Sequence, residues 1–295
     1  GRAQDLKIEL AYQRVRSNGP ILARAKLTYT GHRLLEGRLE LLIRSAGMVI
    51  ASCRTGELAL ATGEQTFDLL VPAPRTLGYE AQVDVFPRFV TRDETLEFDP
   101  VTWLTPRPRE RSCVIGVSHV REDWGERHDR LMRALALEEL QPKPSSPDRR
   151  TLFTQPVRLA PDELPAQPTA YCAFDLLLLA GKGFAFLRER QLDAILRWVR
   201  AGGSVCVVPS GTLGAAHAKF LDDLADSASP AFRLDANGRL VGDATLPLAR
   251  TFHSGLGRAA IGLDPPATDD ALKSREWRHG LAFLWKVRAE QMAPI

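Results

Sequence analysis

The stretch LRWVRAGGSVCVVPSGT, residues 196–212, contains the end of a helix, a two-glycine stop, an apolar strand and a turn. Upstream, Leu192, Ile195 and Val199 fall on one helical stripe, and the glycines that follow can adopt the left-handed conformation that ends helices. The run SVCVVP lacks polar alternation, which is typical of a strand buried on both faces of a parallel sheet. A helix that leads into such a strand indicates an α/β crossover unit.

The same alternation of apolar runs and helical stretches extends over the C-terminal part of the chain. Further predicted strands are CVIGVSHV (113–120), FDLLLLAG (174–181) and RAAIGLD (258–264). Between and after them the sequence predicts helices at 213–225 and 269–291 and a hairpin that turns at Asn237-Gly238. Residues 108–295 are therefore predicted to form a three-layer α/β domain with a mainly parallel sheet.

The N-terminal part shows a period of two residues. The segments GRLELLIR (37–44), QTFDLLVP (65–72) and YEAQVDVF (79–86) alternate apolar and polar side chains, which predicts half-buried strands. Turn signals separate these segments, as in an antiparallel β-sandwich of immunoglobulin-like kind, although the Cys…Trp…Cys spacing of antibody domains is absent. We predict that residues 1–107 form this all-β domain.

The segment FDPVTWLTPRPRERS, residues 98–112, is predicted to link the two domains. It contains three prolines among charged residues, and proline can neither continue a helix nor donate to a strand ladder. This places the domain boundary between residues 107 and 108.

The composition excludes several classes of protein. Hydrophobic residues make up 44% and charged residues 25%, as in an ordinary soluble protein, and 39 basic against 36 acidic residues are scattered along the chain. Nucleic acid is therefore not an expected partner. No run approaches the ~20 apolar residues of a membrane helix. Because the chain starts at Gly1 without Met, a leader or anchor can precede it.

The four cysteines are far apart along the chain. They match neither metal-ligand spacing nor a disulfide framework, so we expect small buried hydrophobic side chains and leave the redox compartment open. They are Cys53, Cys113, Cys172 and Cys206.

Three longer segments suggest a family. YCAFDLLLLAGKGFAFLRERQLDAILRWVRAGGSVCVVPSG (171–211), GLGRAAIGLDPP (255–266) and WRHGLAFLWK (277–286) together resemble the class I glutamine-amidotransferase-like domains, and the resemblance covers roughly residues 110–290. It implies a flavodoxin-like fold. The chain looks most similar to divergent versions in bacterial envelope proteins, where a β-sandwich precedes the domain and membrane helices flank the pair.

The resemblance also implies a missing nucleophile. In catalytic amidotransferases the strand after the Gly-Gly stop leads into a cysteine on a tight elbow, where the strained turn exposes the sulfur and offers N–H groups to an oxyanion. Here Pro209 or Ser210 stands at that position, and Cys206 lies three residues earlier, inside the strand. A degenerate domain, a pseudoenzyme, is the expectation that follows.

An enzyme remains the competing hypothesis. In it, Ser210 is the nucleophile and His119 or His253 is the base, although Val208 and Thr212 replace the glycines of a Gly-x-Ser-x-Gly elbow. The alternative interpretation is that Ser210 or Thr212 caps the following helix, and that His253 is a loop histidine without the acid that would orient it.

The ends of three predicted parallel strands form a candidate ligand crevice, because open α/β sheets bind ligands at this edge. Its residues are Ser118, His119, Gly181, Lys182, Gly183, Ser210 and Gly211. No cofactor and no metal site is predicted, since Asp222, Asp223 and Asp226 are expected to form a solvated helix face.

These observations favour a noncatalytic binding or scaffolding module with a protein partner in a bacterial envelope assembly. We expect it to be extracytoplasmic or periplasmic and tethered to the membrane only through segments outside this chain; a cytoplasmic location is the alternative. A third hypothesis is a sensor that binds a small molecule in the crevice.

Overall fold

In the computed structural model the chain divides into two compact units, Gly1–Arg111 and Ser112–Ile295. The residues that the structure describes are 6–11, 20–72, 82–104, 111–118, 120, 129, 132–137, 152–226, 232–241, 250–262 and 275–285. Each unit is treated by itself.

The first unit is built from antiparallel strands in two sheets. Its described strands are β1 (Leu6–Ala11), β2 (Ile21–Tyr29), β3 (Leu35–Ser45), β4 (Met48–Arg54), β5 (Leu58–Leu60), β6 (Gly63–Val71), β7 (Gln82–Val90), β8 (Thr95–Glu97) and β9 (Val101–Leu104). One sheet has the order β1-β2-β6 and the other β4-β3-β7-β8, in which β5 also pairs with β3 and β9 with β7.

Both sheets contribute alternate residues to one core. Leu41 and Ile43 of β3 and Leu69 and Val71 of β6 are buried together, as their period of two residues predicts. The predicted strands of the N-terminal part are confirmed where the structure describes them.

The prediction of a linker at 98–112 is wrong for its central residues. Val101–Leu104 forms β9 and pairs with β7, and the Trp103 side chain is completely buried in the core. The nearby prolines concealed this strand, since the four residues VTWL are too short to show a period. Residues 105–110 lie outside the described part of the chain.

A buried carboxylate stands on the outer face of the larger sheet. Glu40 accepts hydrogen bonds from Arg88 at 2.7 and 2.9 Å and from Arg38 at 2.8 Å, and it is 8% exposed. Burial alone raises the pKa of the Glu40 carboxyl, but the hydrogen bonds and charges of the two arginines outweigh it and leave the pKa below its usual value. The register aligns Glu40 also with Arg54 on β4.

We predict that Glu40→Gln lowers the free energy of unfolding by about 1 to 3 kcal/mol at pH 7, because two arginines lose their charged partner. Urea denaturation measures the change. Since the folded pKa of Glu40 lies below its unfolded value, the contribution is present above about pH 4.5 and decreases as the pH falls further. Glu36→Gln, at an exposed position on the same face of β3, is the control. Equal effects of the two substitutions would contradict the prediction.

The second unit has a central sheet of six strands. Its described strands are β10 (Arg111–Ser118), β11 (Leu152–Leu159), β12 (Leu176–Gly181), β13 (Ser204–Pro209), the hairpin β14 (Arg233–Leu234) and β15 (Leu240–Val241), β16 (Arg250–Ser254) and β17 (Gly257–Ile261). The α-helices whose bounds lie within the described residues are α1 (Lys182–Ala185), α2 (Glu189–Arg200), α3 (Ala215–Ala225) and α4 (Arg275–Leu284). The sheet order is β11-β10-β12-β13-β17-β16, with β10, β12, β13 and β17 parallel and β16 antiparallel to β17.

Helices cover both faces of this sheet. Cys206 and Val208 of β13 join a core that includes Leu281 and Leu284 of α4. The residues that alternate with these along the strand are buried on the other face of the sheet, where α2 contacts β17 and α3 contacts β16. The mainly parallel sheet is thus confirmed. Within the described residues, no helix is long and apolar enough to cross a membrane.

One of two local predictions in this unit needs correction. His253 does not lie in a loop but in β16, a short edge strand whose polar and apolar residues alternate too briefly to be recognised in the sequence. The predicted hairpin at Asn237-Gly238 is confirmed. In its turn, Gly238 O accepts a hydrogen bond from the N–H of Leu213 (2.7 Å).

The turn from β16 to β17 packs closely against the end of α2. The N–H of Leu256 donates to Arg200 O at 2.9 Å. This hydrogen bond satisfies a carbonyl at the end of α2 that has no partner inside the helix. A Cβ atom at Gly257 would lie 1.8 Å from Val199 O and 2.5 Å from Gly203 O. Only glycine fits this contact.

Gly257→Ala is predicted to destabilise the second unit by at least about 2 kcal/mol, because the backbone of α2 has to move away from β17. Thermal or urea unfolding measures it. Gly280→Ala is the matched control: Gly280 lies inside α4 with no atom within 4 Å of the added methyl group, so alanine should stabilise by about 0.5 to 1 kcal/mol. A tolerated Gly257→Ala would show that the close contact is absent in solution.

Candidate functional site

The strand register brings the predicted crevice residues to one edge of the sheet. Ser118 pairs with Leu179, and Gly181 pairs with Pro209, so the carboxyl ends of β10, β12 and β13 lie side by side. The chain passes from β10 outward to β11 and then returns to β12 on the other side of β10. This reversal between β10 and β12 is the position where open α/β sheets form their binding crevice.

Two of the predicted turns touch each other at this edge. A Cβ atom at Gly211 would lie 3.9 Å from both Lys182 Cγ and Ala185 Cβ, so the turn after β13 borders α1. Gly181 ends β12 with φ 62° and ψ −147°, a region that is essentially restricted to glycine. The strained turn of this edge is therefore at Gly181. The Lys182 side chain is exposed, and Gly183 is buried.

Ser118 has a different environment from the one predicted. Its side chain has no exposed surface, so a ligand in the crevice could reach it only if its neighbours moved. In the described part of the chain its Oγ has no hydrogen-bond partner. The adjacent His119 lies outside the described residues.

The turn after β13, where the sequence resemblance places a nucleophile, holds no thiol. Cys206 is inside β13 and 1% exposed, and burial raises the pKa of its thiol to about 12, so the thiolate is negligible at neutral pH. Pro209 ends the strand and has no N–H to offer an oxyanion. Ser210 is half-buried, and its φ is not positive, since among the described non-glycine residues only Ala46 and Asp226 have positive φ. A strained nucleophile elbow is therefore absent at Ser210.

The register separates His253 from Ser210. His253 pairs with Arg258, and Arg258 pairs with Ser204 at the start of β13. The start and end of this strand are about 17 Å apart at ~3.3 Å per residue, so His253 lies at the opposite edge of the sheet from Ser210. Its ring packs edge-on against Phe283, with centroids 4.9 Å apart. The structure does not bring this pair together as nucleophile and base.

The helix after the turn is capped by a residue that the sequence analysis missed. Helix α3 begins at Ala215 with Gly214 as its N-cap, so neither Ser210 nor Thr212 has the predicted capping role. Instead His217 Nδ1 accepts the N–H of Gly214 at 3.3 Å. The spacing of three residues is that of a capping box, but His in place of Glu or Gln hides the signal.

His217 also contacts helix α1. Its Nε2 lies 3.1 Å from Phe184 O, and since a carbonyl can only accept, Nε2 carries the proton and the ring is neutral. Burial lowers the pKa of His217, and the hydrogen bonds to backbone groups only partly offset this effect. His217 thus connects the turn after β12 with the turn after β13.

The aspartates of α3 take part in local contacts. Asp222 accepts the N–H of Phe232 at 2.9 Å, and Asp223 lies 3.4 Å from Lys219 Nζ. Among the described residues, no group of three or more His, Cys, Asp and Glu side chains could hold a metal ion. All four cysteines are free thiols.

Comparison with protein-family models and with curated proteins finds no match. Among solved structures, the superoxide reductase (neelaredoxin) from Ignicoccus hospitalis is 15% identical, with a TM-score of 0.23 over 34% of this chain and 80% of that one. The FixG-related protein from Vibrio parahaemolyticus is 12% identical, with a TM-score of 0.24 over 34% and 94%. A cycloisomaltooligosaccharide glucanotransferase from Paenibacillus sp. is 11% identical, with a TM-score of 0.26 over 69% and 27%. Similarities this low identify neither fold nor function.

We predict that iodoacetamide at pH 8 modifies Cys206 at least about a thousandfold more slowly in the native protein than in urea, because unfolding must first expose the thiol. Peptide mass spectrometry measures both rates. Cys172, a half-buried thiol of the same unit, is the internal control and should react faster in the native protein. Equal rates at the two cysteines would mean that Cys206 is accessible and that a thiol nucleophile has to be reconsidered.

Proposed function

We propose that this protein is a noncatalytic binding or scaffolding module whose second unit is a degenerate amidotransferase-like domain. The observation that carries the proposal is the end of β13, where Pro209 stands in place of a nucleophile while the Cys206 thiol is buried and protonated. Ser210 lacks a strained elbow, and His253 is at the other edge of the sheet. A fold that keeps its sheet but lacks the reactive groups serves binding more readily than catalysis.

Strand order supports the structural part of this proposal. Without the antiparallel edge strand β16, the strands β11-β10-β12-β13-β17 have the chain order 2-1-3-4-5, which is the order of flavodoxin-like sheets. In the first unit, the separation of β1-β2-β6 from β4-β3-β7-β8 resembles the two sheets of an immunoglobulin-like sandwich. The similar solved structures support neither the flavodoxin-like nor the immunoglobulin-like assignment, and both rest on strand order.

The envelope setting rests on the sequence resemblance alone. In our proposal the partner is a protein of a bacterial envelope assembly, and the module is extracytoplasmic or periplasmic, tethered by segments outside this chain. A cytoplasmic location is the alternative. Neither nucleic acid nor a cofactor is part of this hypothesis.

The competing function is a hydrolase or amidotransferase that uses Ser210 with His119 as base. The register argues against His253 in this role, whereas His119 follows β10, whose end lies at the same edge as the turn after β13. Catalysis would require the His119 ring within hydrogen-bond distance of Ser210 Oγ, directly or through one water.

Incubation with glutamine tests the two functions against each other. We expect no ammonia release above the buffer rate and no labelling of Ser210 by a fluorophosphonate probe, because no base among the described residues is paired with the Ser210 hydroxyl. Coupled ammonia detection and peptide mass spectrometry are the measurements. Thr212→Ala, in the same exposed turn, is the control for Ser210→Ala and His119→Ala. Ammonia release that these two variants abolish and Thr212→Ala retains would establish the enzyme.

A small-ligand sensor is the second candidate, and the position of Lys182 near the turn at Gly211 favours it. An exposed lysine beside backbone N–H groups suits an anionic metabolite. A thermal-shift screen of carboxylate and phosphate metabolites tests this function, with Lys182→Ala as the variant that should reduce any stabilisation. A screen without any shift would exclude the sensor for those compounds.

A further inference from the structure

The His217 side chain joins α1 to the N-terminus of α3. These two helices follow different strands, β12 and β13, and flank the crevice. On one side Nε2–H donates to the carbonyl of Phe184 in α1, and on the other side Nδ1 accepts the N–H of Gly214 at the start of α3. The Phe184 ring packs edge-on against the imidazole at 5.1 Å and also contacts Phe220 at 5.9 Å. The ring contacts and the hydrogen bonds join α1 to α3, and both hydrogen bonds are made by one side chain, that of His217.

Only the neutral imidazole can make both hydrogen bonds. An imidazolium has two N–H donors and no acceptor, so a protonated Nδ1 would face the N–H of Gly214 and leave it without a partner. The first turn of a helix also disfavours a positive charge, because the free N–H groups of α3 point toward it. Burial adds a third penalty, since His217 is 8% exposed.

No charged side chain counteracts these penalties. Within the described part of the chain, no hydrogen bond or ion pair joins a charged group to the His217 ring, whose partners are backbone atoms. The ionisable side chains on the surrounding elements are all exposed or half-buried. They are Lys182 of α1, Arg188 after it, Lys219, Asp222 and Asp223 of α3, and Arg233, Asp235 and Arg239 around the β14–β15 hairpin.

We propose that His217 is an acid-sensitive latch, which fastens α1 to the start of α3 when it is neutral and releases the N–H of Gly214 when it is protonated, while Nε2–H stays bonded to Phe184 O. Release frees the start of α3, which follows Gly211 of the crevice in the sequence. The latch does not depend on whether the crevice binds a ligand or on whether the domain is catalytic, so its test is independent of the glutamine experiment.

The direction of the pH effect follows from the lowered pKa of His217. The unfolded chain takes up a proton near pH 6.5, before the folded form does. Acidification below that value therefore weakens the latched state, and the loss continues until the pH passes the lower folded pKa. Neutral and alkaline solutions keep the latch closed.

Amide hydrogen exchange at Gly214 measures the latch directly. In the wild-type protein we expect protection at Gly214, corrected for the intrinsic exchange rate, to fall by up to about tenfold for each pH unit between pH 6.5 and the lower folded pKa of His217, and then to level off. The amide of Leu213 donates to Gly238 of the hairpin and not to the imidazole, so it is the internal reference and should change much less. Protection at Gly214 that does not change between pH 7.5 and pH 4.5 would overturn the proposal.

A substitution separates the latch from ordinary acid destabilisation. Glutamine at this position keeps an acceptor for the N–H of Gly214 but cannot be protonated, so His217→Gln should remove the pH dependence at Gly214. His279→Gln, at an exposed position of α4, should keep it. The same pH dependence in His217→Gln as in wild type would refute the latch.

If His217→Gln does not fold, NMR titration of an imidazole ring carbon of His217 in the wild-type protein tests the latch. A pKa below 6.5, with the amide shift of Gly214 following the same midpoint, supports the proposal. A pKa at or above 6.5, or an amide that does not follow the ring, overturns it.

Discussion

The second unit depends on one constraint, the burial of β13 on both faces between two parallel partners. All six of its residues are buried, and it pairs with β12 on one side and β17 on the other. Because successive side chains point to opposite faces, one face of this strand packs toward α4 and the other toward α2 and α3. Any polar or reactive group within it must therefore be packed away from solvent, and the first accessible position along the chain comes only at the turn after Pro209.

This constraint keeps Cys206 inside the sheet and His253 away from Ser210. Cys206 is three residues too early to leave the sheet, and its thiol behaves as an apolar group with a pKa near 12. The turn itself starts with a proline, which removes an N–H group from the place where an oxyanion would bind. The same register puts Ser204, and with it His253 through Arg258, at the opposite edge. The geometry of the sheet thus keeps Cys206 and His253 away from the turn after β13.

The crevice is organised instead by contacts between turns. Gly181 takes a backbone conformation that other residues rarely adopt, α1 follows directly, and the turn at Gly211 lies near Lys182 and Ala185 of α1. A buried neutral histidine holds the outer parts of these turns together, since His217 satisfies backbone groups on both sides. Hydrogen bonds of this kind leave the edge ordered but without a nucleophile, which is consistent with the binding role that we propose.

Local patterns were sufficient for the longer elements and for their class, but not for the short strands β9 and β16. The helical stripe ending at Gly202, the apolar run of β13 and the alternation in β3 each specify burial by their period alone, so the sequence determined a mainly parallel sheet and an antiparallel region. Tertiary structure decided what no period encodes. Trp103 is a core residue because β9 pairs with β7, His253 is remote from Ser210 because of register, and His217 caps α3 because Phe184 lies beside it. Pairing and packing join residues distant in the sequence, whereas periodicity reports only on neighbours.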